Sequence, residues 1–63
     1  MESRRKIIQE QLISEPEDVF LNYALGLEFF SEKNFIEAIN QFEKTLSIDK
    51  NYLGAYYQLG KTF

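Results

Sequence analysis

The chain has 63 residues, room for one small domain, and its 44% hydrophobic and 27% charged residues suit a globular protein rather than a disordered one. It holds no cysteine and no histidine, which removes disulfides, thiolate metal sites and catalysis of the Ser/His/Asp or Cys/His kind. Net charge is −3, and residues 7–63 carry four cations against nine acids, an acidic body that argues against nucleic acid, whose binding depends on neutralising phosphates.

Residues 3–14 read as a first helix. Ser3 can cap its start, and Ile7, Ile8 and Leu12 form a narrow apolar stripe. Arg4, Arg5 and Lys6 fall in the first turn, where the helix dipole disfavours cations, so a solvated, fraying end is expected. Pro16 stops this helix because it lacks an N–H and clashes with the preceding turn. Asp18 can cap the next one.

Residues 19–31 form the second predicted helix, apolar on two faces. At about 100° per residue, Leu21, Leu25 and Phe29 share one face and Phe20, Tyr23, Leu27 and Phe30 the opposite one, a pattern that asks for burial on both sides. Gly26 weakens this helix, which makes sense if another backbone packs close to it, and Ala38 supplies a matching small side chain on the next helix. The turn Ser31-Glu32-Lys33-Asn34 follows, with Asn34 and Glu37 placed to form a capping box. If Lys33 takes a left-handed conformation there, it does so at a cost that glycine would avoid.

Residues 35–48 give the cleanest amphipath. Phe35, Ala38, Ile39, Phe42 and Leu46 line one face; Glu37, Asn40, Gln41, Lys44 and Ser47 line the other, toward water. Asn51 is the expected cap of a last helix over residues 52–63, which carries Tyr52, Leu53, Tyr56, Tyr57, Leu59 and Phe63. No proline stands at Lys50, which leaves open one continuous helix from 35 to 63.

Two stretches repeat each other. Tyr23-Ala24-Leu25-Gly26-Leu27-Glu28-Phe29 and Tyr57-Gln58-Leu59-Gly60-Lys61-Thr62-Phe63 share one frame at an interval of 34 residues, with Ala38-x-x-x-Phe42 in register between them. The frame resembles the tetratricopeptide repeat (TPR), whose pattern is W-x2-L-G-x2-Y, then A-x3-F, then P. By the same interval Ile8 matches Phe42 and Leu12 matches Leu46, and Pro16 stands where the closing proline belongs. Asn22 replaces the usual Trp, Lys33 a glycine, Thr45 an alanine and Lys50 the proline, and Arg4 and Gln11 replace alanines in the first segment. The resemblance spans the chain and implies an all-α fold, about four helices in antiparallel hairpins of a right-handed solenoid: a half repeat over 3–14, a full repeat over 19–48 and a half repeat over 52–63.

No constellation of residues points to catalysis, so an enzyme is not expected. Glu28, in the most apolar helix, reads as a carboxylate at the edge of a packed face rather than a general acid, and Gly26, Gly54 and Gly60 lie in predicted helices rather than a phosphate-cradling loop. No cofactor and no metal is expected. Apolar runs are far short of a membrane span and the basic start lacks an apolar core behind it, so neither a membrane nor a secretory signal is expected and the cytoplasm is the default compartment.

What remains is protein binding. In the family, first helices line a concave groove; the resemblance therefore puts Phe20, Tyr23, Leu27, Phe30, Tyr57 and Lys61 on a peptide-binding surface, with Ala24, Ser31, Gly54 and Gln58 beside them. Tyr23 and Leu27 stand where a clamp for a C-terminal carboxylate needs Lys and Asn, so an apolar peptide or helix is the expected ligand. The competing expectation is a structural fragment of a longer repeat array that self-associates as a homo-dimer or higher oligomer through Tyr56, Leu59 and Phe63, for want of a following helix to cover them. Phe20, Tyr23, Leu27 and Phe30 are also candidates for simple core, covered by the first and last helices.

Overall fold

Caps and a proline divide the chain into helices. The computed structural model describes residues 3–62 and has four of them: α1 (Arg4–Ser14), α2 (Val19–Ser31), α3 (Phe35–Ile48) and α4 (Leu53–Thr62), with no strand among the described residues. Ser3 Oγ accepts from the Lys6 N–H at 3.2 Å and Asp18 Oδ1 from the Leu21 N–H at 2.9 Å, so both expected caps form.

The turn from α2 to α3 closes differently from expectation. Lys33 has φ 63°, the left-handed conformation that glycine adopts without cost. Its N–H donates to Phe30 O and the Asn34 N–H to Phe29 O, both at 2.9 Å, the two bonds of a Schellman closure. Asn34 is thereby committed to ending α2. Its ψ of 77° makes no side-chain cap for α3, and Glu37 Oε1 accepts from Asn40 Nδ2 instead, at 3.3 Å. The capping box is absent for that reason.

The last turn also differs. At Asp49 the chain extends (φ −139°, ψ 97°), so the continuous helix does not form. Asn51 does not cap α4; its N–H donates to Asp49 Oδ1 at 3.0 Å, an Asx turn that lets the helix begin at Leu53. Phe63, placed in the last helix by sequence, lies outside the described residues.

The broadest contact is α2 against α3. Ala38 and Phe42 are fully buried there, and Gly26 makes the approach possible: a Cβ added at Gly26 would lie 2.5 Å from Phe42 Cε1 and 2.7 Å from Cδ1. The buried line of α3 runs Ala38, Phe42, Thr45, rotated from the predicted stripe so that Phe35 moves to its edge, 43% exposed. Thr45 Oγ1 donates to Gln41 O at 2.8 Å, so its hydroxyl is satisfied inside the core. Gln41, assigned to the solvent side, is half-buried, and its Oε1 has no partner. Asn22 is buried, and Nδ2 donates to Pro16 O at 3.0 Å and Asp18 O at 2.8 Å, pinning the α1–α2 loop onto α2.

Contacts give the helix directions. Arg5 Nε at the start of α1 donates to both Glu32 carboxylate oxygens at 2.9 and 3.0 Å, and Arg4 lies 3.7 Å from Glu28, so α1 and α2 are antiparallel. Arg5 departs from the expectation of a solvated basic end, being part-buried beside Glu32, whereas Arg4, 79% exposed, and Lys6 remain open to water; the antiparallel hairpin sets Arg4 and Arg5 beside the negative end of the α2 dipole, where cations are favoured. Lys44 near Glu17, at 3.6 Å, marks α3 as antiparallel to α2 in the same way. Tyr23 meets the start of α4 and Phe30 meets Lys61 near its end, so α4 runs parallel to α2. The Cα trace measures 32 × 24 × 14 Å, a slab of helices whose main contacts are between chain neighbours.

Gly26 and Gly60 hold the same place in the repeated frame, yet a Cβ at Gly60 would meet nothing within 4 Å among the described residues. Gly60→Ala is expected to stabilise the chain by up to about 1 kcal/mol through helix propensity. Gly26→Ala is expected to destabilise it by about 1 kcal/mol, because overpacking against a fully buried ring outweighs the same gain, and Gly26→Leu by more. Urea denaturation of the three variants checks the opposite signs.

Candidate functional site

The six residues assigned to a peptide surface do not share one environment. Tyr23 is half-buried, with its ring 5.9 Å from that of Phe42 and 4.9 Å from that of Tyr52, both tilted. Its hydroxyl lies 3.0 Å from where a Cβ on Gly54 would stand, so α4 crosses Tyr23 closely at that point. Much of Tyr23 is therefore joint rather than open surface. Leu27 is likewise half-buried against the core.

Phe30, Tyr57 and Lys61 come together. The Lys61 ammonium sits 5.4 Å from the Phe30 ring centroid and 5.6 Å from that of Tyr57, within the range of cation–π attraction to both. Phe30 also meets Phe35 edge to face at 5.4 Å. Phe35, which sequence spacing assigned to the core stripe of α3, thus joins the cluster. The available signal was its place directly after the cap position: a first-turn residue of α3 faces the end of α2, not its middle. Phe20 stands apart at the other end of α2, 64% exposed, and Tyr57 is 66% exposed.

Of the residues assigned to self-association, Tyr56 is exposed and its hydroxyl donates to Lys50 O at 2.9 Å. Leu59 is half-buried and packs on the core, and Phe63 lies outside the described residues. Glu28 sits at the edge of the α1–α2 contact, beside Arg4. Among the described residues no three acidic side chains converge on a point that could hold a metal ion, no enclosed pocket forms, and no helix is long and apolar enough to cross a membrane. No family model, curated protein or solved structure matches the chain.

Burial, then the neighbouring Tyr23 and Asp49, push the Tyr52 phenol above the ordinary value of 10.0. A phenol raised in the folded state binds its proton more tightly than in the unfolded chain. Its stability contribution is complete below pH 10 and is lost as pH rises through the folded value. Tyr52→Phe, which keeps the ring on Tyr23, should flatten the fall of stability above that pH, as measured by denaturant midpoints at stepwise alkaline pH.

Proposed function

We propose that this chain is a TPR-like helical repeat module that binds an apolar peptide or helix of a protein partner along the side shared by α2 and α4, and that it is not an enzyme. One observation carries the reading: the parallel helices α2 and α4 hold large aromatics open to water, Tyr57 in a cluster in which Lys61 lies over Phe30 and Tyr57, and Phe20 at the other end of α2. Exposed aromatic anchors next to a half-buried apolar floor are the composition of binding hot spots. Lys61 adds a cation that no described carboxylate pairs with, so an acidic residue on the ligand would be welcome there.

The repeat reading draws support from four features together. These are the 34-residue frame, the antiparallel α2–α3 hairpin, the parallel return of α4, and a left-handed residue at Lys33 where the family has glycine. A right-handed solenoid is the arrangement such units build when stacked. Within this proposal Tyr23 acts mainly in holding α4 to α2, and the contacts to ligand fall to Phe20, Leu27, Phe30, Tyr57 and Lys61.

Panning the chain against a displayed random peptide library tests the reading. Enriched peptides are expected to carry at least two large apolar residues. Their affinity, by fluorescence polarisation, should fall roughly tenfold or more in the Phe20→Ser, Tyr57→Ser double variant. Both side chains are largely exposed, so the melting temperature should hold. Peptides that bind the double variant as well as the original chain would overturn the assignment.

A further inference from the structure

The helix directions sort the charges of the chain. α1 and α3 end where α2 and α4 begin, so the loops 15–18 and 49–52 share one end of the molecule. They hold Glu15, Glu17, Asp18 and Asp49 against Lys50. Among the described residues the opposite end holds Arg4, Arg5, Lys6, Lys33 and Lys61 against Glu28, Glu32 and Glu37. Two helix N-termini and two C-termini meet at each end, so the dipoles offset one another and the side chains set the sign.

The α2–α4 side runs between these ends. Lys61 lies at one of them, over Phe30 and Tyr57. At the other, the Tyr23 and Tyr52 rings meet at 4.9 Å, and the Tyr52 N–H donates to Asp49 O at 3.1 Å. Burial, Tyr23 and then Asp49 raise the Tyr52 phenol, which places the half-buried Asp49 carboxylate beside that ring. The fold does not account for the charge of Asp49. Its Oδ1 accepts from the Asn51 N–H in an Asx turn that asparagine closes equally well, and the dipole of α3 disfavours a carboxylate at its C-terminal end. No cation among the described residues lies within ion-pair distance of it. Phe20, one turn before Tyr23 on α2, is largely exposed and offers apolar surface at the same end.

We propose that the ligand of the α2–α4 side is a protein segment of mixed charge, with a lysine or arginine at Asp49, an apolar middle, and an acidic residue at Lys61. This rests on the surface proposed above and adds to it the basic residue, the position that holds it and the spacing of the two charges. Tyr23 and Phe30 stand seven residues apart, about 10 Å along α2. The two charges of the ligand are therefore separated by about two helical turns, or by about three residues of extended chain. A lysine or arginine suits the Asp49 end because its long stem can lie on apolar surface, here that of Phe20, while the charged head reaches the carboxylate.

Displayed random peptides are selected on the intact chain and, in parallel, on Asp49→Asn, which keeps the Asx turn and should keep the melting temperature. Peptides enriched on the original chain are expected to carry Lys or Arg together with Asp or Glu, and those enriched on Asp49→Asn to show no preference for a base. Replacing the base of the leading peptide by methionine should cost roughly tenfold in affinity on the original chain, by fluorescence polarisation, and nothing on Asp49→Asn. Added salt should narrow the difference. The inference is overturned if the methionine peptide binds the original chain as tightly as its parent, or if the substitution costs as much on Asp49→Asn. Enriched peptides that need Phe20 and Tyr57 but carry no base overturn this inference alone, whereas a chain that enriches no peptide overturns the α2–α4 surface with it. A dimer of the chain alone that Asp49→Asn dissociates would make a second copy the occupant and overturn it as well.

Discussion

The Phe42 ring in the notch of Gly26 is the contact on which the rest of the molecule depends. It brings α2 and α3 closer than any side chain at position 26 would allow, and it buries the ring completely. Full burial of such a side chain is worth about 1.5–3 kcal/mol, a large share of the stability of so small a domain. The approach has geometric effects too. It presses Tyr23 between Phe42 and Tyr52, and Tyr23 in turn meets α4 at Gly54. The aromatic cluster of Phe30, Tyr57 and Lys61 exists because α4 is held alongside α2 by that chain of contacts.

Around this centre the molecule buries two polar side chains, Asn22 and Thr45. Asn22 answers its burial with two donated hydrogen bonds to the α1–α2 loop, and Thr45 with one to its own helix. A hydrogen bond contributes about 1 kcal/mol net and, unlike a bulky ring, fixes a direction. Arg5 works similarly at the far end of the hairpin: Nε joins Glu32 while the guanidinium lies over Phe29, 5.3 Å from its centroid. An exposed pair of this kind adds only about 0.2–1 kcal/mol, so its main effect is on how α1 lies across α2.

Periodicity made the helices readable. Strong apolar spacing and the Ser3, Pro16 and Asp18 signals mark α1, α2 and α3 to within a residue or so, and the shared Leu-Gly frame points to the Gly26 contact before any coordinates. The misreadings have local causes. Asn34 was available for a cap only if the preceding turn left it free, and the left-handed Lys33 commits its backbone to α2 instead. Arg5 looked solvated like its neighbours because its pairing with Glu32, 27 positions apart, is invisible until the hairpin direction is known. On the surface side, helical spacing grouped Tyr23 with Phe20, Leu27 and Phe30 but could not tell which of them α4 would cover, since that depends on where the 49–52 turn sends the chain.

Because the principal contacts join helices adjacent in sequence, little loop entropy opposes any of them. Such a topology has low contact order, which is associated with fast folding. The three interfaces are unequal, α2–α3 being broader than α1–α2 or α3–α4. Native-state opening should therefore be graded rather than all-or-none at the level of single amides, with α1 and α4 exchanging through partial detachment and the middle of α2 and α3 only when the whole domain opens. The surface that carries Tyr57 and Lys61 would then belong to the more labile part of the molecule, where a bound partner can add most to local order.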